Sequence, residues 1–303
     1  MKPKVFLELV EIKAKTASIF PFLLGVFYTV YHYHHLDWLN TVCFFIAMLL
    51  FNMAVDINDN YWDYKNADHE KGQTFRQKTN VIGVNHLNIH KIGLLNYSFM
   101  IIAALIGLFL VYRVGWLLLV LGLFCFAVGF LYAGGPFPLD SLPVGEFFAG
   151  FTMGFMIFLI SVWINVHQLL AFNWTLIGPL LVTAGLSICA IASLLLANNI
   201  CDYQEDLDLG RHTIVRFLGV KNSLWFYAIL IIVGFIFMIV AVWQRWMPWT
   251  TLLTLLTIPA IYKNTKQFFA VHIKSQTFKL AVKNLFIITF VQVLSFGLGL
   301  FFN

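Results

Sequence analysis

Apolar runs of 16 to 27 residues recur from one end of this 303-residue chain to the other. They cover Thr16–Tyr33, Trp38–Ile57, Ile89–Tyr112, Val114–Tyr132, Phe148–Val166, Trp174–Ile200, Leu224–Trp243, Met247–Tyr262 and Leu285–Phe302. A bilayer core is crossed by ~17–25 apolar helical residues. Most of these runs have no polar face, which argues against a soluble helical core. Barrel strands would instead alternate polar and apolar residues over ~10 positions. Only 11% of the residues are charged, against about 25% in a soluble domain. The expectation is an all-α polytopic membrane protein: nine transmembrane helices around a central cavity, with cytoplasmic loops capping a site. The eighth run is the shortest and carries Pro248 and Pro259.

The basic residues set the orientation. With the N-terminus inside, 17 of the 19 Lys and Arg fall on inner segments, and only Arg113 and Arg245 fall outside. The positive-inside rule makes that side cytoplasmic, so a nine-span chain ends outside. Seven tryptophans, Trp38, Trp116, Trp163, Trp174, Trp243, Trp246 and Trp249, lie near the outer boundary as an aromatic belt. A multi-pass protein of the cell membrane is expected. The net charge of +5 is spread over four inner segments, so topology and anionic lipid account for it, and nucleic acid is not an expected partner. Cys43, Cys125, Cys189 and Cys201 form no CxxC, so neither a disulfide framework nor a zinc site is read. Residues 1–15 lead into a span with no small-residue cleavage site, which reads as an uncleaved first helix. The sequence does not specify an oligomeric state.

Against this background the acids are concentrated. Nine of the 14 sit in two places: Asp56, Asp59, Asp63, Asp68 and Glu70, then Asp202, Glu205, Asp206 and Asp208. Each cluster follows a span running inward, the second and the sixth. Asn52, Asp56, Asp59, Asn60 and Asp63 share one helical face, and so do Asn198, Asp202 and Asp206. The two runs match as Asn-x3-Asp, 146 positions apart. This suggests two four-helix units, about 16–132 and 146–262, with a ninth helix added and a site between equivalent helices.

Such clusters need a positive partner. Carboxylates repel one another, and a helix C-terminus already carries the negative end of the macrodipole. Mg²⁺ prefers oxygen ligands and commonly bridges one or two carboxylates to substrate phosphates. Two acidic helix faces across a wet cavity could hold Mg²⁺ and a diphosphate. Asp56, Asp59, Asp63, Asp202 and Asp206 are therefore the candidate metal-binding and catalytic residues. Cation transport would also concentrate acids in a bundle, but transport sites lie near the midplane, whereas these acids stand at inner helix ends.

The motif Asn198-Asn199-x2-Asp202-x3-Asp206-x3-Gly210-x2-Thr213, followed by Leu218-Gly219, resembles the second Asp-rich motif of the UbiA superfamily of intramembrane prenyltransferases. Its form is similar to that of the 1,4-dihydroxy-2-naphthoate polyprenyltransferases of menaquinone synthesis. The segments "YAGGPFPLDSLPVGE" and "EIKAKTASIFPFLLG" resemble the same group. The first motif departs from the usual Asn-Asp-x2-Asp: here it reads Asp59-Asn60-Tyr61-Trp62-Asp63, with Asp68 one residue early.

The resemblance implies a Mg²⁺-dependent single-domain enzyme. It would transfer a polyprenyl group from polyprenyl diphosphate to an aromatic acceptor, with loss of CO₂ when dihydroxynaphthoate is the acceptor. Another acceptor such as 4-hydroxybenzoate stays open, as does chain length. Asn52, Asn60, Asn198 and Asn199 would orient metal or diphosphate. Lys65, Arg76, Lys78 and Arg211 are candidate partners of the diphosphate oxygens, and Tyr132 is a candidate contact for the acceptor. Gly210 and Thr213 would shape the loop after the sixth span. The many phenylalanines suit a prenyl tail and an allylic cation, although packing and lipid contact explain most of them.

Overall fold

The computed structural model describes residues 1–66, 77, 79–134 and 138–302. Arg76, Lys78, Asp68 and Glu70 lie outside the described residues. Every regular element among the described residues is helical.

A short α1 (Pro3–Leu9) and a 3₁₀ turn (Ile12–Lys15) lead into α2 (Thr16–Tyr33). The chain then forms α3 (Trp38–Asn66), α4 (Val81–Val84), α5 (Ile89–Val114) and α6 (Trp116–Ala133). A 3₁₀ turn at Leu139–Ser141 precedes α7 (Gly145–Ala149), which passes through a π-helical stretch (Gly150–Met156) into α8 (Ile157–Val166). Next come α9 (Trp174–Cys201), α10 (Tyr203–Asp208) and α11 (Ile214–Trp243). A 3₁₀ helix (Trp249–Thr257), α12 (Ile258–Ala270) and α13 (Phe278–Gly299) complete the described fold.

Eight helices among the described residues are long and apolar enough to cross a membrane. Seven of the nine expected runs begin within three residues of an observed helix. The run at Leu224 belongs to the part of α11 that follows a non-helical break at Gly219 (φ 73°, ψ 158°); the run at Leu285 belongs to α13, which begins seven earlier. The expected eighth run, Met247–Tyr262, is not one α-helix. It is the 3₁₀ stretch joined to α12. Its buried residues show why: Thr251, Thr254 and Thr257 repeat every three positions, then Ile261, Asn264 and Phe268 at α-helical spacing. Pro259 stands at the junction; it has no N–H to give to an i−4 carbonyl.

The second run extends furthest past its expected end. α3 continues nine residues beyond Ile57, carrying Asp59, Asn60 and Asp63 on the helix that spans the membrane. Gly145–Val166 and α9 are the most enclosed spans, with 72% of each window buried; α5 and α6 are the least, at 17% and 22%. α9, whose inner end leads into the second acid cluster, is thus central, and α5 and α6 turn most of their surface outward to lipid. Five of the belt tryptophans, Trp38, Trp116, Trp174, Trp243 and Trp249, are highly exposed at the end opposite the acids. Trp163 differs: it is buried, packed edge-on against Phe172.

A smaller apolar cluster holds α1 in place. Leu9 and Val10 are fully buried against Ile57, Ile82 and Ile92. That fixes the N-terminal segment beside the last turns of α3.

Candidate active site at the inner helix ends

The acids of α3 and those that follow α9 meet on the wall of one cavity. It holds about 1420 Å³ and is lined by Asn52, Asp56, Asp59, Asn60 and Asp63 from α3, and by Asn198, Asn199, Asp202, Glu205, Asp206 and Arg211 from the end of α9 onward. Pockets for drug-sized ligands measure ~300–1,000 Å³, so this cavity is larger than one such ligand requires. Tyr132, Phe44, Phe51, Phe126 and Phe148 line it as well. Phe51 and Phe126 are stacked, with ring centroids 4.0 Å apart.

Arg211 joins the two halves. Its Nη2 donates to Asp63 Oδ1 at 2.7 Å and lies 3.9 Å from Asp140 Oδ2; its Nη1 is 3.7 Å from Asp206 Oδ1. Local sequence explains how it arrives there. Gly210 has φ of +72°, a conformation that costs glycine least. The Arg211 N–H bonds the Asp206 carbonyl and the Gly210 N–H bonds the Leu207 carbonyl. This is a Schellman cap; it ends α10 and folds Arg211 back over the acid one turn behind it. His212 N–H then bonds the Ser141 carbonyl at 2.8 Å, which brings the Leu139–Ser141 turn, and Asp140, to the guanidinium.

Two more cations neutralise the remaining ends. Lys15, only 2% exposed, donates to the Asp56 carboxylate and to the Asn52 carbonyl. Lys274, between α12 and α13, donates to Asp202. Asp59, between Asp56 and Asp63, has no ion pair or hydrogen bond among the described residues. Burial pushes the Asp206 carboxyl up to about 7, against the opposing pull of Arg211. Burial likewise raises Asp140 and Glu205. Burial works against the Arg211 charge, but Asp63, Asp140, Asp59 and Asp206 together outweigh it and hold the guanidinium protonated.

The expected residues therefore divide. Asp56, Asp59, Asp63, Asp202, Asp206, Asn52, Asn60, Asn198, Asn199, Tyr132 and Arg211 all face the cavity. Lys65 does not line it: its ammonium lies 5.3 Å and 5.2 Å from the ring centroids of Tyr61 and Trp62. Thr213 is the N-cap residue of α11 and is buried. Other charged residues at the site, Glu205 among them, are not sequence candidates. Lys15 and Lys274 count in the sequence only toward topology. Asp140 is a single acid between prolines. Glu11 lines the cavity from a left-handed turn with φ of 46°. The available signals were an acid in the Pro-flanked inner loop and a lysine on the threshold of the first span.

The donor set fits a hard divalent cation. It consists of carboxylate and amide oxygens, and two of these, Asp206 Oδ2 and Asn52 Oδ1, are buried with no hydrogen-bond partner. Among the described residues no three carboxylates close on one point as a ready-made cage. The basic side chains stand between them, and Mg²⁺ commonly takes one or two carboxylates together with substrate phosphates.

The profile of the UbiA prenyltransferase family matches residues 18–290. The chain belongs to the UbiA prenyltransferase family. It is a prenyltransferase by membership, and a multi-pass membrane protein. A curated relative, 1,4-dihydroxy-2-naphthoate octaprenyltransferase of Bacillus subtilis (strain 168), is 28% identical over 225 residues, covering 74% of this chain and 69% of that one. Solved UbiA homologs share the fold. The apo structure of one from Aeropyrum pernix K1 has a TM-score of 0.71 at 15% identity, covering 92% of this chain and 97% of that one. One from Archaeoglobus fulgidus, bound to DMAPP and Mg²⁺, has a TM-score of 0.65 at 11% identity, covering 97% and 98%.

Proposed function

We propose that this UbiA-family chain transfers a polyprenyl group from a polyprenyl diphosphate to 1,4-dihydroxy-2-naphthoate, as a step of menaquinone synthesis, with Mg²⁺ at the two acidic helix ends. The observation that carries the reading is the bridge from Asp63 through Arg211 to Asp206 on the wall of a large, aromatic-lined cavity. The Bacillus subtilis relative supports the choice of acceptor, and the Mg²⁺ and DMAPP of the Archaeoglobus fulgidus homolog support the choice of metal and donor class.

The oxygens of Asp59, Asp63, Asp202 and Asp206, and of Asp56 beside Lys15, are the hard ligands such a cation takes, directly or through water. Mg²⁺ bound there supplies neutralisation of the charge that builds on the diphosphate as the allylic C–O bond breaks. Arg211 and Lys274 stand at the same place and offer charge-assisted hydrogen bonds to the leaving oxygens. Asn52, Asn60 and Asn198 orient this shell. The aromatic faces of Phe51, Phe126 and Tyr132 favour the positive carbon that remains and keep water away from it. The electron-rich acceptor ring attacks that carbon and its carboxyl group leaves as CO₂.

In this reading the site and the N-terminus face the cytoplasm and the C-terminus lies outside. The ninth crossing is the 3₁₀ helix with α12. Its nine and 13 residues extend ~18 Å and ~20 Å at ~2.0 and ~1.5 Å per residue, enough for a bilayer core of ~30 Å. The two four-helix units, 16–132 and 146–262, are repeats whose superposition would place α3 on α9.

The test supplies membranes containing the protein with Mg²⁺, labelled polyprenyl diphosphate and a panel of aromatic acids. Prenylated naphthoate product with CO₂ release is expected. Turnover of 4-hydroxybenzoate alone would reassign the acceptor, and ion flux without any prenylated product would overturn the enzyme.

A further inference from the structure

Glu146 is a buried carboxylate that the acid clusters do not include. It sits in the first turn of α7 and is 4% exposed. One oxygen, Oε1, accepts from Asn199 Nδ2 at 2.8 Å; the other, Oε2, is buried with no partner. A carboxylate left half-satisfied in the interior is costly. A glutamine could accept the same hydrogen bond without burying a charge, so packing alone does not explain the residue.

The backbone is built to bring it there. Gly150 and Gly154 follow Glu146 at four-residue intervals. A Cβ on Gly150 would stand 2.7 Å from the Ile188 carbonyl oxygen, and one on Gly154 2.7 Å from the Ile188 Cα. Only glycine allows α7 and its π-helical continuation to lie this close to α9, as in small-residue helix packing generally. π-Helical turns recur at functional sites. The close approach delivers Glu146 to the inner end of α9, behind Asn199.

Asn199 lines the cavity from the last turn of α9, three residues before the capping Asp202 and seven before Asp206 on α10. Its amide has two unlike ends, and an ionised carboxylate can only accept. Glu146 therefore holds the NH₂ end and leaves the carbonyl oxygen for the cavity side. We infer that Glu146 is a positioning residue that locks the Asn199 side chain with its carbonyl oxygen presented as a neutral oxygen donor to the cation of the site. This rests on the metal-dependent reading above. A glutamine at 146 can donate as well as accept, so it would let the Asn199 amide turn over.

The test measures Mn²⁺ binding by electron paramagnetic resonance on the full-length protein in nanodiscs, with inorganic pyrophosphate, alongside the Mg²⁺ dependence of turnover. Supporting partners of metal sites are typically worth ~10–100-fold in metal affinity. Glu146→Gln is expected to weaken Mn²⁺ by about tenfold or more, Glu146→Asp by less because it remains acceptor-only. Asn199→Ala should match Glu146→Gln, and the double variant should be no worse than either single, since both remove one interaction. Wild-type Mn²⁺ affinity in Asn199→Ala, or additive losses in the double variant, would overturn the positioning role. Asp206→Asn separates the two levels: if it binds Mn²⁺ normally, the metal reading itself has failed. If it loses Mn²⁺ while Glu146→Gln keeps it, only this inference has.

Discussion

Arg211 and Asp63 form a 2.7 Å ion pair across 148 positions of sequence. It ties the loop after α10 to the last turns of α3, and the same guanidinium reaches Asp206. Replacing Arg211 with glutamine leaves these carboxylates facing each other with less compensation. Losing one preorganised donor at a developing charge typically costs ~10²–10³-fold in rate, and a fall of that order in kcat is expected. Metal should matter more to the fold of this variant. Its Tm should rise further on adding Mg²⁺ than that of the wild type, and an equal rise would argue that Arg211 does not hold the acids together.

Asp202 and Asp206 are expected to be indispensable to turnover but not to insertion. Either residue changed to alanine should abolish prenyl transfer while the protein still enters the membrane and purifies as before. The measurement pairs a product assay with membrane-fraction yield. Normal activity in either variant removes that residue from the site. Chelation should have the same effect reversibly: EDTA should stop turnover of the wild type, and added Mg²⁺ should restore it.

Lys15 makes a different kind of contribution. It is almost wholly enclosed, while its partner Asp56 is 20% exposed on the cavity wall, and removing the lysine leaves that carboxylate uncompensated. Lys15→Met should therefore lower thermal stability markedly. Lys15→Met combined with Asp56→Asn removes both charges and should recover much of that loss. Activity should remain low in the double variant, because Asp56 is then absent from the cavity wall. Thermal unfolding and product formation, measured on the same preparations, distinguish the two effects.

Much of this arrangement is legible in the residue order. Apolar run length places α2 at its observed bounds, and four-residue spacing puts Asn198, Asp202 and Asp206 on one face. What escapes is long-range or degenerate. Asp140 joins the site only because the His212 N–H bonds Ser141, a contact without local signature. Lys15 and Lys274 are basic residues on the inner side, where the positive-inside rule already accounts for lysine, so their roles are hidden by their number. The 3₁₀ course of Trp249–Thr257 is written in the threonines at 251, 254 and 257, but a hydropathy reading averages over a three-residue period. Lys65 shows the converse: its position in the chain suggests the site, while the last turn of α3 carries it onto Tyr61 and Trp62 instead.

Gly210 tests whether backbone shape, rather than charge alone, builds the site. Its φ of +72° is unfavourable for any residue with a Cβ by about 1–2 kcal/mol, and a Cβ there would meet no neighbour within 4 Å. Gly210→Ala should therefore cost strain without a steric clash. The chain can relieve that strain by loosening the Schellman cap, which moves Arg211 away from Asp206 and Asp63 while leaving every charge present. The expected result is a modest loss of thermal stability with a larger fall in kcat, in the direction of Arg211→Gln. Gly210→Asn tolerates the left-handed conformation better and should retain more activity than alanine. Equal activity in the alanine variant and the wild type would mean that Arg211 does not depend on the cap for its place.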